Sequence, residues 1–198
     1  MILDIDLLLA LGATYKKLNS GETVFSEGTN CNFYHQLVSG SVKWFNINEE
    51  GKEFIQTMVE PGESFGEMPL FDDEPYAANA IAEQDSIIIR LHKPVFLKLL
   101  KETPELHFTF SRILAEKVRF KLLLLKTISC EDPKQCISTL LDYLKKKRKN
   151  FCQDCNQLKL TRQQIAGMTG LRVETVIRAM RSMHDHGQIV INKGKVFC

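Results

Sequence analysis

The sequence predicts an α+β chain in three parts: a strand-rich N-terminal segment, one long helix, and a short helical segment that ends in a hairpin. β-Branched and aromatic runs separated by turn residues fill the first part, and a helical period begins at Pro104. A second helical pattern precedes a Gly-containing hairpin at the C-terminus. These three observations place the boundaries at residues 1–103, 104–129 and 130–198.

The N-terminal segment contains several short stretches whose composition suits β-strands. The clearest runs are residues 23–25, 33–38, 41–47, 54–59 and 86–91. Turn residues such as Asn19-Ser-Gly21 and Glu60-Pro-Gly62 separate them, because Gly supplies positive φ and Pro presets φ. Short strands at regular spacing favour a barrel or sandwich over a parallel sheet.

The helical period after Pro104 predicts one long helix that continues to about residue 129. Its apolar residues recur at spacings of four, four and three, close to a coiled-coil seam: Leu114, Val118, Leu122 and Leu125. Such a helix has apolar side chains on more than one face, so we expect one face to cover the strand domain and another to contact a second copy of the chain. Burial within a single chain is the alternative.

Charge divides the chain more sharply than its net charge of +2 suggests. Residues 1–120 carry 11 Lys and Arg against 18 Asp and Glu, a balance of −7, whereas residues 121–198 carry 15 against 6, a balance of +9. A basic C-terminal part is what a protein needs to approach a polyanion such as nucleic acid. A basic surface that is merely solvated is the alternative.

The last 40 residues have the anatomy of a winged helix-turn-helix. Thr161 and Gln164 form a capping box for a first helix, and Gly170 can take the left-handed turn before a second helix. Residues 188–197 then form a hairpin that turns at 192–194. This combination predicts double-stranded DNA as a partner, with the second helix in the major groove.

Glu174 and Arg178 lie one turn apart on that second helix. An arginine can donate two hydrogen bonds to guanine and a glutamate can accept one from cytosine, so we predict that both contact bases. A surface ion pair is the alternative for these two residues. Val173 and Ile177 add apolar base contacts. The predicted phosphate contacts are Thr161, Arg162, Gln163, Arg172, Thr175 and Arg181.

Taken together, the chain resembles the Crp/Fnr family of bacterial transcription regulators along essentially its whole length. The resemblance rests on residues 21–28, 38–42, 49–53, 61–71, 161–166 and 173–178. It implies an N-terminal β-barrel (jelly roll) of the cyclic-nucleotide-binding type, a dimerisation helix and a DNA-binding domain. It further implies a homodimer that binds a palindromic promoter site and contacts RNA polymerase.

The resemblance also implies an effector pocket, in which Glu67, with Gly66 beside it, contacts the ribose of a cyclic nucleotide. Where cyclic-AMP-binding members have an Arg-Ser pair that holds the cyclic phosphate, this sequence has Tyr76-Ala77-Ala78 or, shifted by one residue, Ala77-Ala78-Asn79, so no cation stands there. A phosphate without its cation loses charge-assisted hydrogen bonds, so cyclic AMP is not the expected effector. The other pocket candidates are Met68, Tyr76, Lys121 and Leu122. The effector therefore stays unknown.

Metal and redox cofactors are not expected from the cysteine pattern. The family's oxygen sensors hold an iron–sulfur cluster with cysteines before the barrel, and no cysteine precedes Cys31. Haem would need an axial ligand such as His35 or His92. Cys152-x-x-Cys155 is half a zinc site or a reversible disulfide pair, and only Cys130 and Cys136 could complete the zinc site.

Two rival function classes were weighed against a DNA-binding regulator. An enzyme is not expected, because no Ser-His-Asp spacing, Walker loop or metalloprotease helix occurs. An adaptor with a cyclic-nucleotide-binding-type domain, whose C-terminal helices bind protein instead of DNA, is the alternative. Without a long apolar run or a secretory signal, we expect a cytoplasmic protein that does not bind membranes. The sequence identifies neither the target genes nor the sign of regulation.

Overall fold

The computed structural model describes residues 2–129, 131–152 and 154–198. The chain divides into two compact units, one ending at Leu114 and the other beginning at Ala115. Helix α4 (Pro104–Ile128) contributes residues to both units, and it starts at the predicted proline. Each unit is described by itself below.

The first unit is built on eight strands in two antiparallel sheets. The strands are β1 (Thr14–Leu18), β2 (Thr23–Phe25), β3 (Phe33–Ser39), β4 (Val42–Ile47), β5 (Glu53–Val59), β6 (Ser64–Phe65), β7 (Asn79–Ala82) and β8 (Ser86–His92). One sheet has the order β1-β8-β3-β6 and the other β2-β7-β4-β5. The predicted jelly roll is confirmed, but the two sheets do not close into a barrel.

The chain passes from one sheet to the other several times, and two of these crossings lie at the predicted turns 19–21 and 60–62. β1 and β2 belong to different sheets, and Gly21 between them has φ +81°. β5 and β6 are likewise separated at Gly62, whose φ is +90°. A positive φ is strained for residues with a Cβ, so these glycines allow tight corners at which the chain leaves one sheet for the other.

The strand prediction overlooked three helices in this unit: α1 (Ile5–Ala10), α2 (Pro69–Asp72) and α3 (Lys93–Glu102). They are short, so hydrophobic periodicity is a weak signal for them. Phe96 of α3 packs against one sheet, where its ring stacks on Tyr34 at 4.9 Å between centroids. Phe110 meets the Phe96 ring edge-on at 5.2 Å. All three rings are almost fully buried and form one side of the core.

The second unit contains the C-terminal part of α4, then α5 (Pro133–Lys146), α6 (Arg162–Thr169), α7 (Val173–Asp185), β9 (Val190–Asn192) and β10 (Lys195–Phe197). The order of α6, α7 and the β9–β10 hairpin matches the predicted winged helix-turn-helix. Helix α5 was not predicted. It packs with α6 and α7 and buries Ile137, Leu140 and Leu144 beneath them. No helix within the described ranges is long and apolar enough to span a membrane.

Candidate DNA-binding surface and effector site

The helix-turn-helix begins with the predicted capping box. The Thr161 hydroxyl accepts a hydrogen bond from the Gln164 backbone N–H at 3.1 Å, and the Thr161 N–H donates to the Gln164 side-chain oxygen at 2.8 Å. These two bonds satisfy backbone donors that a helix start leaves free. Gly170 ends α6 in the left-handed conformation, with φ +73°. The turn thereby directs the chain into α7.

Helix α7 is divided lengthwise into a buried and an exposed face. Val176, Met180 and Met183 are buried against the rest of the unit. On the other side Glu174 and Arg178 are exposed, and Ile177 between them is 50% exposed despite being apolar. An exposed apolar residue between two charged ones suits a surface that contacts base edges and thymine methyl groups.

The start of α7 lacks the side-chain acceptor of a usual helix start. Arg172 is its N-cap residue and makes no side-chain capping hydrogen bond. Val173, the first residue of the helix, is half-buried. Because Arg172 does not cap the helix with its exposed side chain, its guanidinium is available at the helix N-terminus, where anions are favoured.

The wing is the β9–β10 hairpin, and its turn is tighter than a generic loop. Lys193 and Gly194 both have positive φ, 47° and 80°, as a two-residue hairpin turn requires. Arg162 reaches this turn and donates from Nη1 to the Gly194 carbonyl at 2.7 Å. The first turn of α6 is therefore tied to the wing by a residue predicted only as a phosphate contact.

The other predicted phosphate contacts differ in exposure. Thr161 and Gln163 are exposed at the N-terminal end of α6, and Arg181 is exposed on α7. Thr175 is half-buried.

The part of α4 within the second unit is apolar on two opposite faces. Phe120 and Leu124 are buried, and the Phe120 ring stacks on Tyr143 at 5.1 Å. On the far side of the helix, Val118, Leu122 and Leu125 are each 57–60% exposed. Leu114, the fourth predicted seam residue, ends the first unit and is half-buried. The exposed stripe is the kind of surface that a second helix covers in a coiled coil.

In the first unit, the predicted effector residues Gly66 and Tyr76 lie against Phe25. The Tyr76 ring stacks on the Phe25 ring at 3.7 Å with an interplanar angle of 5°. A Cβ added at Gly66 would come within 2.8 Å of two Phe25 ring atoms, and Gly66 has φ +69°. Gly66 is thus required both by its backbone conformation and by the ring beside it.

The remaining effector residues do not supply what a cyclic phosphate needs. Glu67 is fully buried and its carboxylate accepts a hydrogen bond from the Ser64 hydroxyl. Ala77 is exposed and Ala78 is buried, and neither carries a charge or a side-chain donor. Met68 is partly exposed at the start of α2. With methyl groups where the phosphate partners are expected, these residues do not fit cyclic AMP.

Lys121 and Leu122 lie in the second compact unit, whereas the other predicted effector residues lie in the first. Lys121 is half-buried. Burial, with Lys117 and Lys149 nearby, lowers the pKa of Lys121 to about 7. Leu122 belongs to the exposed stripe described above.

The cysteines are arranged differently from a zinc site. Cys136 is fully buried in α5, and its thiol donates to the Thr127 carbonyl at 3.2 Å. Cys130 lies outside the described residues. A hydrogen bond from the Asp154 backbone, followed by the Cys155 thiol, lowers the pKa of the Cys152 thiol. Among the residues that the structure describes, no three His, Cys, Asp or Glu side chains are grouped to hold a metal ion.

The two histidines named as possible axial ligands of haem differ in burial. His35 is buried, whereas His92 is exposed at the end of β8.

Sequence reasoning missed three residues of the first unit that contact Tyr76 or lie beside His35, because segments distant in sequence bring these residues together. Phe25 is one, and Cys31 is another, since its sulfur accepts the Tyr76 hydroxyl at 3.1 Å. Arg90 is a third, placed beside His35 by the pairing of β3 with β8. A Phe or Arg in a strand carries no local signal of this kind. Only the strand register reveals it.

Comparison with known families agrees with this architecture. A model of the cyclic nucleotide-binding domain matches residues 15–103, and a model of the Crp-like helix-turn-helix domain matches residues 134–197. Together the two matches leave out the first 14 residues, the whole of α4, the link to α5 and the last residue.

Curated relatives and solved structures match the chain almost from end to end. The cyclic AMP receptor protein of Thermus thermophilus is 26% identical, over 95% of this chain and 85% of that protein. The cAMP-activated global transcriptional regulator CRP of Pasteurella multocida is 28% identical, over 90% of this chain and 89% of that protein. The structure of FixK2 from Bradyrhizobium japonicum shares the fold, with a TM-score of 0.81, 18% identity and coverage of 93% of this chain and 91% of that one. The chain belongs to the Crp/Fnr family of transcription regulators, with an N-terminal cyclic-nucleotide-binding-type domain and a C-terminal helix-turn-helix domain.

Proposed function

We propose that this regulator acts as a homodimer that binds a palindromic promoter site through α7 of each copy. The observation that carries the proposal is the exposed face of α7, on which Glu174, Ile177 and Arg178 stand together while the opposite face is buried. A recognition helix needs this division, because its buried face holds it on the domain while its exposed face enters the major groove.

Each residue on this face has a distinct role in reading bases. The Arg178 guanidinium donates two parallel hydrogen bonds to O6 and N7 of a guanine, and Glu174 accepts one from N4 of a cytosine. Val173 and Ile177 offer only apolar contact, which suits the methyl group of thymine. The half-site should therefore differ from that of cyclic-AMP-dependent family members, which have an arginine at the place of Val173.

Phosphate contacts around the recognition helix fix its register on the duplex. Arg172 supplies a cation at the start of α7 and Arg181 supplies one two turns beyond Glu174, and Thr161 and Gln163 supply polar groups at the start of α6. Thr175 adds a hydroxyl on α7. Arg162 contributes through its hydrogen bond to Gly194, by which it positions the wing.

The exposed stripe on α4 supports dimerisation. Val118, Leu122 and Leu125 would be covered by the same residues of a second copy, as a two-fold interface requires. Two recognition helices related by this symmetry then read two half-sites about 34–36 Å apart, or one turn of DNA. The alternative, burial by the same chain, is not seen in the described residues of the second unit, where these three side chains are exposed.

The N-terminal domain is proposed to regulate DNA binding through an effector that binds two states of the dimer with different affinity. Curated relatives are named for cyclic AMP, but Ala77 and Ala78 argue for another effector here. We place the protein in the cytoplasm, in contact with RNA polymerase at promoters, and without catalytic activity. The adaptor hypothesis is disfavoured by the helix-turn-helix match.

The test is a binding selection from random duplex DNA with purified protein, without added ligand and at a stated moderate salt concentration, because phosphate contacts make affinity salt-dependent. Enrichment of a palindrome with half-sites about one helical turn apart is the expected result. Where none appears, the selection is repeated with cell extract as the source of effector. Recovery of no preferred sequence in both selections contradicts the proposal.

A further inference from the structure

A cavity of about 350 Å³ opens in the jelly roll, and among its lining residues in the described chain Tyr76 is the one that was also a predicted effector residue. Its walls come from β1, β2, β3 and β8 and from the loop that follows β2. In the sheet register Lys16 pairs with Ile88, and His35 pairs with Arg90. Since residues 88 and 90 lie on the same face of β8, all four side chains face the same side of the sheet.

The charges around this cavity have one sign. Lys16 and Arg90 both line it, and no carboxylate does so among the lining residues of the described chain. Lys16 has one ion-pair partner, Glu22, at 3.5 Å. Arg90 donates from Nε to the Thr14 hydroxyl at a long 3.4 Å, and its guanidinium lies 4.7 Å from the centre of the Phe33 ring. The stacked guanidinium is held in place, and a planar fork of this kind matches a carboxylate.

His35 supplies an independent sign that the cavity is built for a ligand. The side chain lines the cavity and is only 6% exposed, yet its Nδ1 has no hydrogen-bond partner in the part of the chain that the structure describes. Burial, followed by the charges of Arg90 and Lys16, lowers the pKa of His35 to about 3, so the imidazole is neutral at physiological pH. Buried polar atoms of native proteins are rarely left without a partner.

Aromatic rings complete the walls. Phe25 and Phe33 line the cavity, and each lies beside His35, with ring centroids 5.7 and 6.1 Å away. Flat apolar walls together with a few convergent polar groups are typical of small-molecule sites, whose volumes begin at about 300 Å³. A ligand here therefore needs an anionic end and a planar apolar body.

We propose that this cavity binds a small carboxylic acid, whose carboxylate is held by Arg90 and Lys16, whose planar body lies against Phe25 and Phe33, and whose oxygen accepts a hydrogen bond from His35. The inference that this ligand is the effector of a DNA-binding regulator rests on the proposed function. Binding itself does not, so it is measured without DNA, and its failure is distinct from a failure of DNA recognition.

The experiment is ligand-observed NMR on the full-length protein with a panel of about ten small carboxylates, from acetate and 2-oxoglutarate to benzoate and salicylate, each paired with its uncharged amide. We expect at least one planar carboxylate to bind and its amide to bind at least tenfold more weakly. Binding should also shift the ¹⁵N resonance of His35 Nδ1. Inorganic phosphate is included to detect a site that takes any anion.

Three variants assign the binding to this cavity. Arg90→Gln should lower the affinity at least tenfold and Lys16→Met severalfold. Lys17→Met is the matched control, because Lys17 is exposed on the same strand and points to the other face of the sheet. The thermal midpoint of each variant is measured to show that it is folded. If Arg90→Gln does not fold, Lys16→Met alone tests the role of the cations.

The proposal is overturned if no carboxylate binds, if amides bind equally well, or if Arg90→Gln and Lys16→Met bind like Lys17→Met. Binding of phosphate without any carboxylate also overturns it, since the aromatic walls would then have no role.

Discussion

The two ends of this protein relate to their family in different ways. The helix-turn-helix unit has every part that DNA recognition requires: the capping box at Thr161, the left-handed turn at Gly170, and an exposed recognition face around Arg178. The jelly roll keeps the family scaffold, including Gly66 and Glu67, but places Ala77 and Ala78 where a phosphate would need its partners. The predicted DNA-binding surface and the predicted effector site of this chain therefore depart from the family pattern to different extents.

The difference follows from the chemistry of the two ligands. All DNA presents the same phosphates and the same four base edges, so one scaffold can serve readers of DNA with different sequence preferences. An effector can be any small molecule, and a pocket changes its ligand when a few side chains change. The stacked Phe25 and Tyr76 rings and the cation-lined cavity beside them are features of this second kind.

The largest expected effect comes from breaking the stripe that joins two copies. Leu122→Asp places a carboxylate in the proposed dimer seam and should abolish dimerisation, with at least a hundredfold loss in affinity for a palindromic site because each monomer then binds one half-site. Sedimentation velocity and fluorescence anisotropy measure the two effects. Arg119→Asp, exposed on the flank of the same helix, should remain dimeric. If the Leu122→Asp protein is still a dimer, the dimer interface does not lie at this stripe.

The recognition face is tested next. Arg178→Ala should cost about 1–3 kcal/mol for the preferred site and lose discrimination at one base pair, because the arginine no longer bonds the guanine. Anisotropy titrations with a panel of single-base variants of the selected site give both numbers. Arg181→Ala is the control, since loss of a phosphate contact should weaken all sites about equally. Unchanged discrimination in Arg178→Ala would assign base reading to another residue.

The N-terminal domain is tested by introducing the Arg-Ser pair that cyclic-AMP-binding family members have. The double variant Ala77→Arg with Ala78→Ser supplies a guanidinium and a hydroxyl, and each charge-assisted hydrogen bond contributes about 1.5–3 kcal/mol. We expect its affinity for cyclic AMP, measured by calorimetry, to exceed that of the wild type by at least tenfold. Wild-type protein that already binds cyclic AMP as tightly would show that the phosphate has a partner elsewhere.

The turn between α6 and α7 tests the stability of the DNA-binding unit. Gly170→Ala should lower the free energy of unfolding by about 1–2 kcal/mol, because an L-residue is strained at φ +73°. Gly170→Asn should lose less, since asparagine tolerates the left-handed region better. Among the residues that the structure describes, a Cβ at this position would meet only the Ile128 side chain, at an ordinary 3.7 Å, so crowding by them does not explain the loss. Equal stability of Ala and Asn variants would contradict the backbone explanation.

The smallest effect concerns Lys121, whose folded-state pKa of about 7 lies below its ordinary value of 10.5. Between these two values the unfolded chain binds more protons than the folded one, so this residue makes stability rise with pH from about 7 upward. Lys121→Met should flatten that rise and gain on the order of 1 kcal/mol at neutral pH. Chemical denaturation at pH 6, 8 and 10 measures both. Lys126→Met, exposed on the same helix, should leave the slope unchanged.

The parts of the molecule that the sequence predicted correctly depend on local physics. The capping box, the start of α4 at Pro104 and the hairpin turn at Gly194 each depend on residues a few positions apart, so their signals survive in a linear chain. The five strands predicted from composition are all present, and no strand end differs from its prediction by more than one residue. The short helices α1, α2 and α3 were missed because one to three turns give too little periodicity.

By itself, the sequence determined the jelly-roll and helix-turn-helix architecture and the absence of an Arg-Ser pair near Ala77. Only the tertiary structure decided that the two sheets stay open and that Arg162 bonds to the wing. It also decided that His35 lies beside Arg90, with its Nδ1 lacking a hydrogen-bond partner among the described residues. The reason is range: His35 and Arg90 are 55 residues apart and meet through the register of β3 with β8. No local pattern encodes that register, because it is set by packing the whole sheet at once.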